Sequence, residues 1–168
     1  WGCTGMIVDM LGERHSGERL LTTHLPTVIV NSMGLITDPV NPLSKLSRVD
    51  CDNFPIGKTA ADYFLKLGFS SFAFVGEVND VTWSEERRTA FCARLHEDGF
   101  ACEVYPRLPL TARKDFSVEQ ETLCGWLKAL PKPVALFAAN DVRGRQVLDS
   151  CLKVGVPVPQ EAAVLGVD

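Results

Sequence analysis

The chain has 168 residues, 46% of them hydrophobic and 23% charged, with a formal net charge of -4. This length allows one domain of common size or two small lobes whose core needs no metal or disulfide, and the composition excludes intrinsic disorder. No apolar run nears the ~18 residues of a membrane span, and mild acidity argues against a nucleic-acid surface on these residues, because phosphate binding draws on clustered Lys and Arg.

Along the chain, short apolar runs alternate with helical patterns. Gly5-Met6-Ile7-Val8 predicts a strand and 16–22 a short helix. Pro26 introduces a second strand at 27–30, and a stretch rich in Gly, Pro, Asn and Ser predicts a loop over 31–47. A short strand follows at 48–51. Residues 54–67 predict a helix, with Ala60, Ala61, Phe64 and Leu67 at near-helical spacing and Gly68 as its stop. Phe72-Ala73-Phe74-Val75 predicts a strand, and a loop then runs to Trp83. The helix at 84–98 ends at Gly99, and Thr82 with Glu85 has capping-box spacing at its start. A strand at 101–105, a helix at 117–130, a strand at 134–138, a helix at 141–154 and a last strand at 163–167 complete the series, with Gly155 and Pro157 stopping the last helix. Strands alternating with helices predict an α/β fold of parallel sheets covered by helices on both faces.

Gly68-Phe69-Ser70-Ser71 predicts a crossing between two lobes, with 1–68 an incomplete N-terminal lobe and 69–168 most of a C-terminal one. A start at Trp1 and an end at Asp168, directly after an apolar run, lead us to expect a fragment of a longer protein.

The six cysteines form no C-x-x-C pair, and only His15, His24 and His96 could join them at a metal, so no metal or cofactor is expected. Dispersed thiols in a chain with a good core read as reduced and mostly buried, which suits the cytoplasm, with a disulfide or a reactive thiol as the alternative. There is no G-x-G-x-x-G, no G-x-x-x-x-G-K-[ST], no G-x-S-x-G and no H-E-x-x-H. Nothing in the spacing favours an enzyme.

In open α/β sheets, ligands bind beyond the carboxyl ends of strands. Asn31, Asp50, Asp52, Asn53, Glu77, Asn79, Asp80, Asn140, Asp141 and Asp168 all follow apolar runs. Helix capping explains any one of them, though the whole set less well. Arg87 shares a stripe with Phe91 and Leu95 at i, i+4 and i+8, which points its guanidinium at the strand ends. There it serves a hydroxylated or anionic ligand, or pairs with a carboxylate such as Asp80. Trp83 is either a flat wall for a ligand ring or a plug at the loop base. Arg143, Arg145 and Lys153 read as the wet face of a helix. Carboxylates, amides and an Arg around an aromatic face fit an uncharged ligand with many hydroxyls, a sugar.

The stretch from Phe137-Ala138-Ala139-Asn140-Asp141 through Val156-Pro157-Val158-Pro159-Gln160-Glu161 to Val164-Leu165-Gly166-Val167-Asp168 resembles the effector-binding domains of the lactose- and galactose-repressor superfamily. Asp52-Asn53 with Gly57 is similar to that family's D-N-x-x-G. Arg87 with Ala90-Phe91 resembles its R-x-x-G-F, with Ala in place of Gly. Trp1 to Val8 and Trp83-Ser84-Glu85-Glu86-Arg87 are similar to segments of xylose-operon regulators, which join such a sensor to a helix-turn-helix of the arabinose-regulator type. The resemblance implies a periplasmic-binding-protein-like type I fold with a small sugar, a pentose such as xylose, in the cleft between its lobes. It places Asp52 on the first-lobe side, and Arg87, Asn140, Asp141 and Asp168 on the second, with Trp83 as stacking wall and Asn31 as a further contact. It also implies a homodimer that reaches DNA only through a domain outside this chain and does not contact membrane. A transport sugar-binding protein, or a doubly wound sugar-processing enzyme, is the alternative.

Overall fold

Phe72-Ala73-Phe74-Val75 and Val134–Ala138 are apolar at every position, the pattern of parallel strands covered on both faces, and every residue in both is buried. A computed structural model describes residues 2–9, 20–32, 39–79, 81–109 and 116–167. Its contacts divide the chain into two units, Trp1–Asp52 and Asn53–Asp168.

In the first unit, β1 (Met6–Asp9), β2 (Thr27–Val30) and β3 (Ser47–Val49) form a parallel sheet in the order β1-β2-β3. Among the described residues of this unit, Ile29 and Leu43 are buried apolar residues, with Leu46 packed against them. The segment expected to be a plain loop carries a 3-10 helix at Pro42–Lys45, started by Asn41, whose side chain accepts from the Leu43 N–H at 3.0 Å. Pro42 at its first position suits the fixed φ that a helix start needs. The helix expected over 16–22 lies largely outside the described residues.

The second unit holds α1 (Asn53–Lys66), β4 (Phe72–Val75), α2 (Thr82–Glu97), β5 (Cys102–Val104), α3 (Phe116–Ala129), β6 (Val134–Ala138), α4 (Asp141–Val154) and β7 (Ala162–Leu165). Its four strands are all parallel, in the order β5-β4-β6-β7. Period-2 alternation sends Phe72, Phe74, Ala135 and Phe137 to one face, where α1 and α2 cover them. Ala73, Val75, Val134 and Leu136 face the other way, under α3 and α4. The first face is an aromatic cluster, with Phe91 at 5.1 Å from Phe137 and 6.4 Å from Phe64, ring centre to ring centre.

The unit boundary at Asp52 falls ahead of the crossing expected at Gly68, and the cause is α1. Ala60, Ala61 and Phe64 bury against the same cluster as Phe91. Gly57 allows the close approach: a Cβ there would run into the Arg87 backbone carbonyl and lie 2.9 Å from the Ala90 Cβ. The alanine at position 90 is thus accommodated by the glycine facing it.

The capping box does not form. Thr82 is already helical, and the N-cap is Val81, without a side-chain hydrogen bond. Ser84 takes over locally, its hydroxyl accepting from the Glu77 N–H at 3.0 Å and tying the turn after β4 to the first turn of α2. None of the described helices is long and apolar enough to cross a membrane.

Candidate functional site

Helices in a parallel α/β unit run back along the sheet, so their first turns lie at the carboxyl ends of the strands. The chain passes from β4 to β5 on one side and later crosses back to β6 on the other, which makes the ends of β4 and β6 the switch point where a crevice forms. Each helix sends a buried stripe to this level, and each stripe begins with a polar residue. The stripes are Asn53-Gly57-Ala61, Arg87-Phe91-Leu95, Glu119-Leu123-Leu127 and Arg143-Val147-Cys151. The four leading residues are 6%, 8%, 4% and 1% exposed. Buried polar groups of this kind need partners, and their partners build the site.

Arg87 donates from Nε to the Asn53 side-chain oxygen at 3.0 Å and from Nη1 to the Ala139 carbonyl at 2.6 Å. Asn53 in turn donates to Glu86 at 2.9 Å. The guanidinium lies 4.9 Å from the Trp83 ring centre, within cation–π range. Trp83 also packs against the aromatic cluster, so it braces Arg87 as well as reaching the strand ends. These contacts occupy Nε and Nη1 and leave Nη2 without a partner among the described residues.

Asn140 caps α4, accepting from the Arg143 N–H at 2.8 Å, and donates to Glu77 at 3.2 Å across the ends of β6 and β4. Asp141 is exposed on the first turn of α4, where the helix dipole favours a carboxylate. Its N–H donates to the Val167 carbonyl at 3.0 Å. Gly166 must be glycine for its side chain to lie there, because a Cβ at 166 would collide with Asp141 Oδ1. Trp83, Arg87, Asn140 and Asp141 therefore gather at one end of the second sheet. Asp168 and Asp80 lie outside the described residues.

Asn31 and Asp52 belong to the first unit. Asn31 is exposed, with a left-handed φ of 54°, and its side chain reaches Asp9 at 3.5 Å. Asp52 is exposed at the end of the unit. Asp50, two residues earlier, accepts from the Ser32 N–H at 2.6 Å and its hydroxyl at 2.7 Å.

Arg143 corrects the reading of α4 as a wet face. Arg145 and Lys153 are exposed, but Arg143 is interior. It pairs with Glu119 at 3.0 Å, donates to the Gly76 carbonyl at 2.9 Å and to Gln146, and lies over the Tyr105 ring at 5.8 Å. The sequence signal was its i+4 and i+8 neighbours, Val147 and Cys151, the same stripe that picked out Arg87. Burial and the nearby Glu119 carboxylate push the Tyr105 hydroxyl above its ordinary range. The thiols are also less uniformly buried than expected: Cys124 and Cys151 are interior, Cys92 and Cys102 part-buried, Cys3 and Cys51 exposed.

A cavity of about 460 Å³ opens on the other side of β4, between its end and that of β5. Glu77, Glu85, Arg88, Tyr105, Arg107 and Arg143 give it its polar wall. None of Trp83, Arg87, Asn140 and Asp141 lines it. Glu77 joins the two places, since it borders the cavity and holds Asn140. The Arg87 side offers donors, carboxylates and an indole on rigid helix starts, a set that can read hydroxyl groups by direction.

Residues 61–168 match the family described as periplasmic binding protein-like domain. The xylose operon regulatory protein of Escherichia coli (strain K12) is 28% identical over all of this chain, and that of Haemophilus influenzae is 31% identical over 98% of it. The chain spans 42% of the length of each. A solved structure of a xylose-binding transcription activator aligns over 98% of this chain and 43% of its own, with a TM-score of 0.80 and 27% identity. A periplasmic binding protein/LacI transcriptional regulator from Alkaliphilus metalliredigens shares the fold, with a TM-score of 0.69 at 17% identity, over 98% of this chain and 56% of its own.

Proposed function

The chain belongs to the periplasmic binding protein-like domain family, and on that premise we propose that it is the sugar-sensing part of a DNA-binding transcriptional regulator, with a pentose such as xylose as effector. The observation that carries this reading is the alignment of nearly the whole chain with a xylose-binding transcription activator at a TM-score of 0.80. The Arg87 cluster supports it. Arg87 Nη2 and Asn140 Nδ2 supply donors, Asp141 and Glu77 supply acceptors, and Asp168 follows β7 in sequence. Directional hydrogen bonds of this kind distinguish sugars by the hydroxyls they carry, because a polar group left unpaired on binding is costly.

In the proposed mechanism the sugar binds one state of the regulator better than another and shifts the population between them. A DNA-binding domain outside these residues reads that shift. The regulator works in the cytoplasm as a homodimer, and no catalytic step is assigned to the site.

Asp141 gives the cleaner test. It is exposed and its side chain supports no core contact, whereas Arg87 holds both Asn53 and the Ala139 carbonyl, so Arg87→Ala also loosens the fold. Hydrogen bonds to a charged group contribute about 1.5–3 kcal/mol. Asp141→Ala in the full-length protein should therefore weaken D-xylose binding at least tenfold by calorimetry, with the circular dichroism spectrum unchanged. Undiminished xylose binding by this variant would remove Asp141 from the site. The same titration of Asn31→Ala and Asp52→Ala decides whether those residues contribute.

A further inference from the structure

Arg143 closes a ring of hydrogen bonds across the ends of β4 and β6. Its backbone N–H donates to the Asn140 side-chain oxygen at 2.8 Å, and the Asn140 amide donates to the Glu77 carboxylate at 3.2 Å. Gly76 precedes Glu77 in the chain, and its carbonyl accepts from Arg143 Nε at 2.9 Å. One residue therefore holds both sides of the switch point, the start of α4 by its backbone and the turn after β4 by its side chain. The rest of the guanidinium reaches away from the ring, Nη1 to Gln146 and Nη2 to Glu119 on α3 at 3.0 Å. All three nitrogens are thus engaged, and the residue is 1% exposed. Arg143 acts on a ligand only through the groups it holds.

Stability alone does not call for a charged pair at this place. An apolar pair of similar volume commonly fills such a site as well or better, and the helix start needs only the Asn140 cap. What an apolar pair cannot supply is a donor aimed at the Gly76 carbonyl. A lysine cannot supply it together with the Glu119 contact, because its single nitrogen replaces a rigid fork. Polar groups that read hydroxyls by direction discriminate only while their own directions are fixed by supporting contacts.

We propose that Arg143 is a positioning residue for the sugar site: anchored by Glu119, it fixes the directions of Glu77 and Asn140, and pentose affinity depends on this ring although Arg143 touches no sugar. The inference rests on the reading of the Arg87 side as the sugar site, and it adds the buried pair on α3 and α4 to what that site requires.

The experiment uses full-length protein in three forms: wild type, Arg143→Lys, and Arg143→Met with Glu119→Leu. Hydrogen–deuterium exchange without ligand reads the turn at 76–79, calorimetry reads D-xylose binding, and urea unfolding reads stability. In both variants the turn should exchange several-fold faster than in wild type, and xylose should bind about tenfold more weakly, the worth of one directional hydrogen bond. The double variant should do so while unfolding at nearly the wild-type urea concentration, a separation that a merely structural role would not produce. Arg143→Lys carries the test if the double variant does not fold. Unchanged exchange at 76–79, or wild-type xylose affinity in the variants, would overturn the proposal. Wild-type protein that binds no pentose would overturn the sugar reading by itself, and the exchange of the ligand-free turn would still decide whether Arg143 positions it.

Discussion

Replacing Arg143 with Met removes a guanidinium that is 1% exposed and is held by Glu119 at 3.0 Å, by the Gly76 carbonyl at 2.9 Å and by Gln146. Glu119, itself 4% exposed, then keeps its carboxylate in the interior without a cation. Orphaning one member of a buried ion pair costs about 3–5 kcal/mol, roughly a fifth or more of the 5–15 kcal/mol that holds a domain folded. Taking away both charges is different. An apolar pair of similar volume is often neutral or better, so Arg143→Met with Glu119→Leu should recover most of the loss, short of about 1 kcal/mol for the Gly76 carbonyl. Urea unfolding followed by tryptophan fluorescence measures both, because Trp126 sits 5.2 Å from Tyr105, the ring beneath Arg143. A single-variant loss below about 1 kcal/mol, or a double variant as damaged as the single, would refute the reasoning that an orphaned buried charge dominates here.

Gly57→Ala should destabilise by about 1–3 kcal/mol, since its Cβ meets the Arg87 carbonyl, whereas Gly125→Ala on open helix surface should stabilise by up to about 1 kcal/mol. Chemical unfolding of the two variants side by side checks both signs. Asn140→Ala loses a helix cap and should cost about 1–2 kcal/mol. Asn140→Asp keeps the cap but sets a carboxylate beside Glu77, so it should recover only part of that loss in the same unfolding assay. Phe137→Ala, at the centre of the aromatic cluster, should lower stability by about 3–5 kcal/mol.

Most of the second unit is legible from local pattern because parallel α/β architecture writes itself locally. Fully apolar strands such as 72–75 and helices ended by Gly68, Gly99 and Gly155, all with left-handed φ, are marked by their own residues. What the pattern left out is tertiary. Whether the helix at 53–66 joins the sheet before it or after it depends on the Gly57 crossing with α2, which no stretch of local sequence encodes. Arg143 was hidden by its charged helix neighbour Arg145, although the stripe through Val147 and Cys151 marks it as surely as Phe91 and Leu95 mark Arg87. Applied to every helix, the same stripe rule yields Glu119 and marks Asn53 independently of its place after a strand. Trp83 stayed ambiguous in the sequence because its neighbour across the helix turn is Arg87, and only the fold shows the guanidinium against its ring.

Hydrogen–deuterium exchange of the full-length protein, with and without saturating D-xylose, tests the central claim most directly because it reports both binding and place. The account predicts slowed exchange in the turn after β4 at 76–79, the first turns of α2 at 82–88 and the β6–α4 junction at 139–143. Slowed exchange confined to 104–108 beside the β4–β5 cavity, or no change with any pentose, would contradict it.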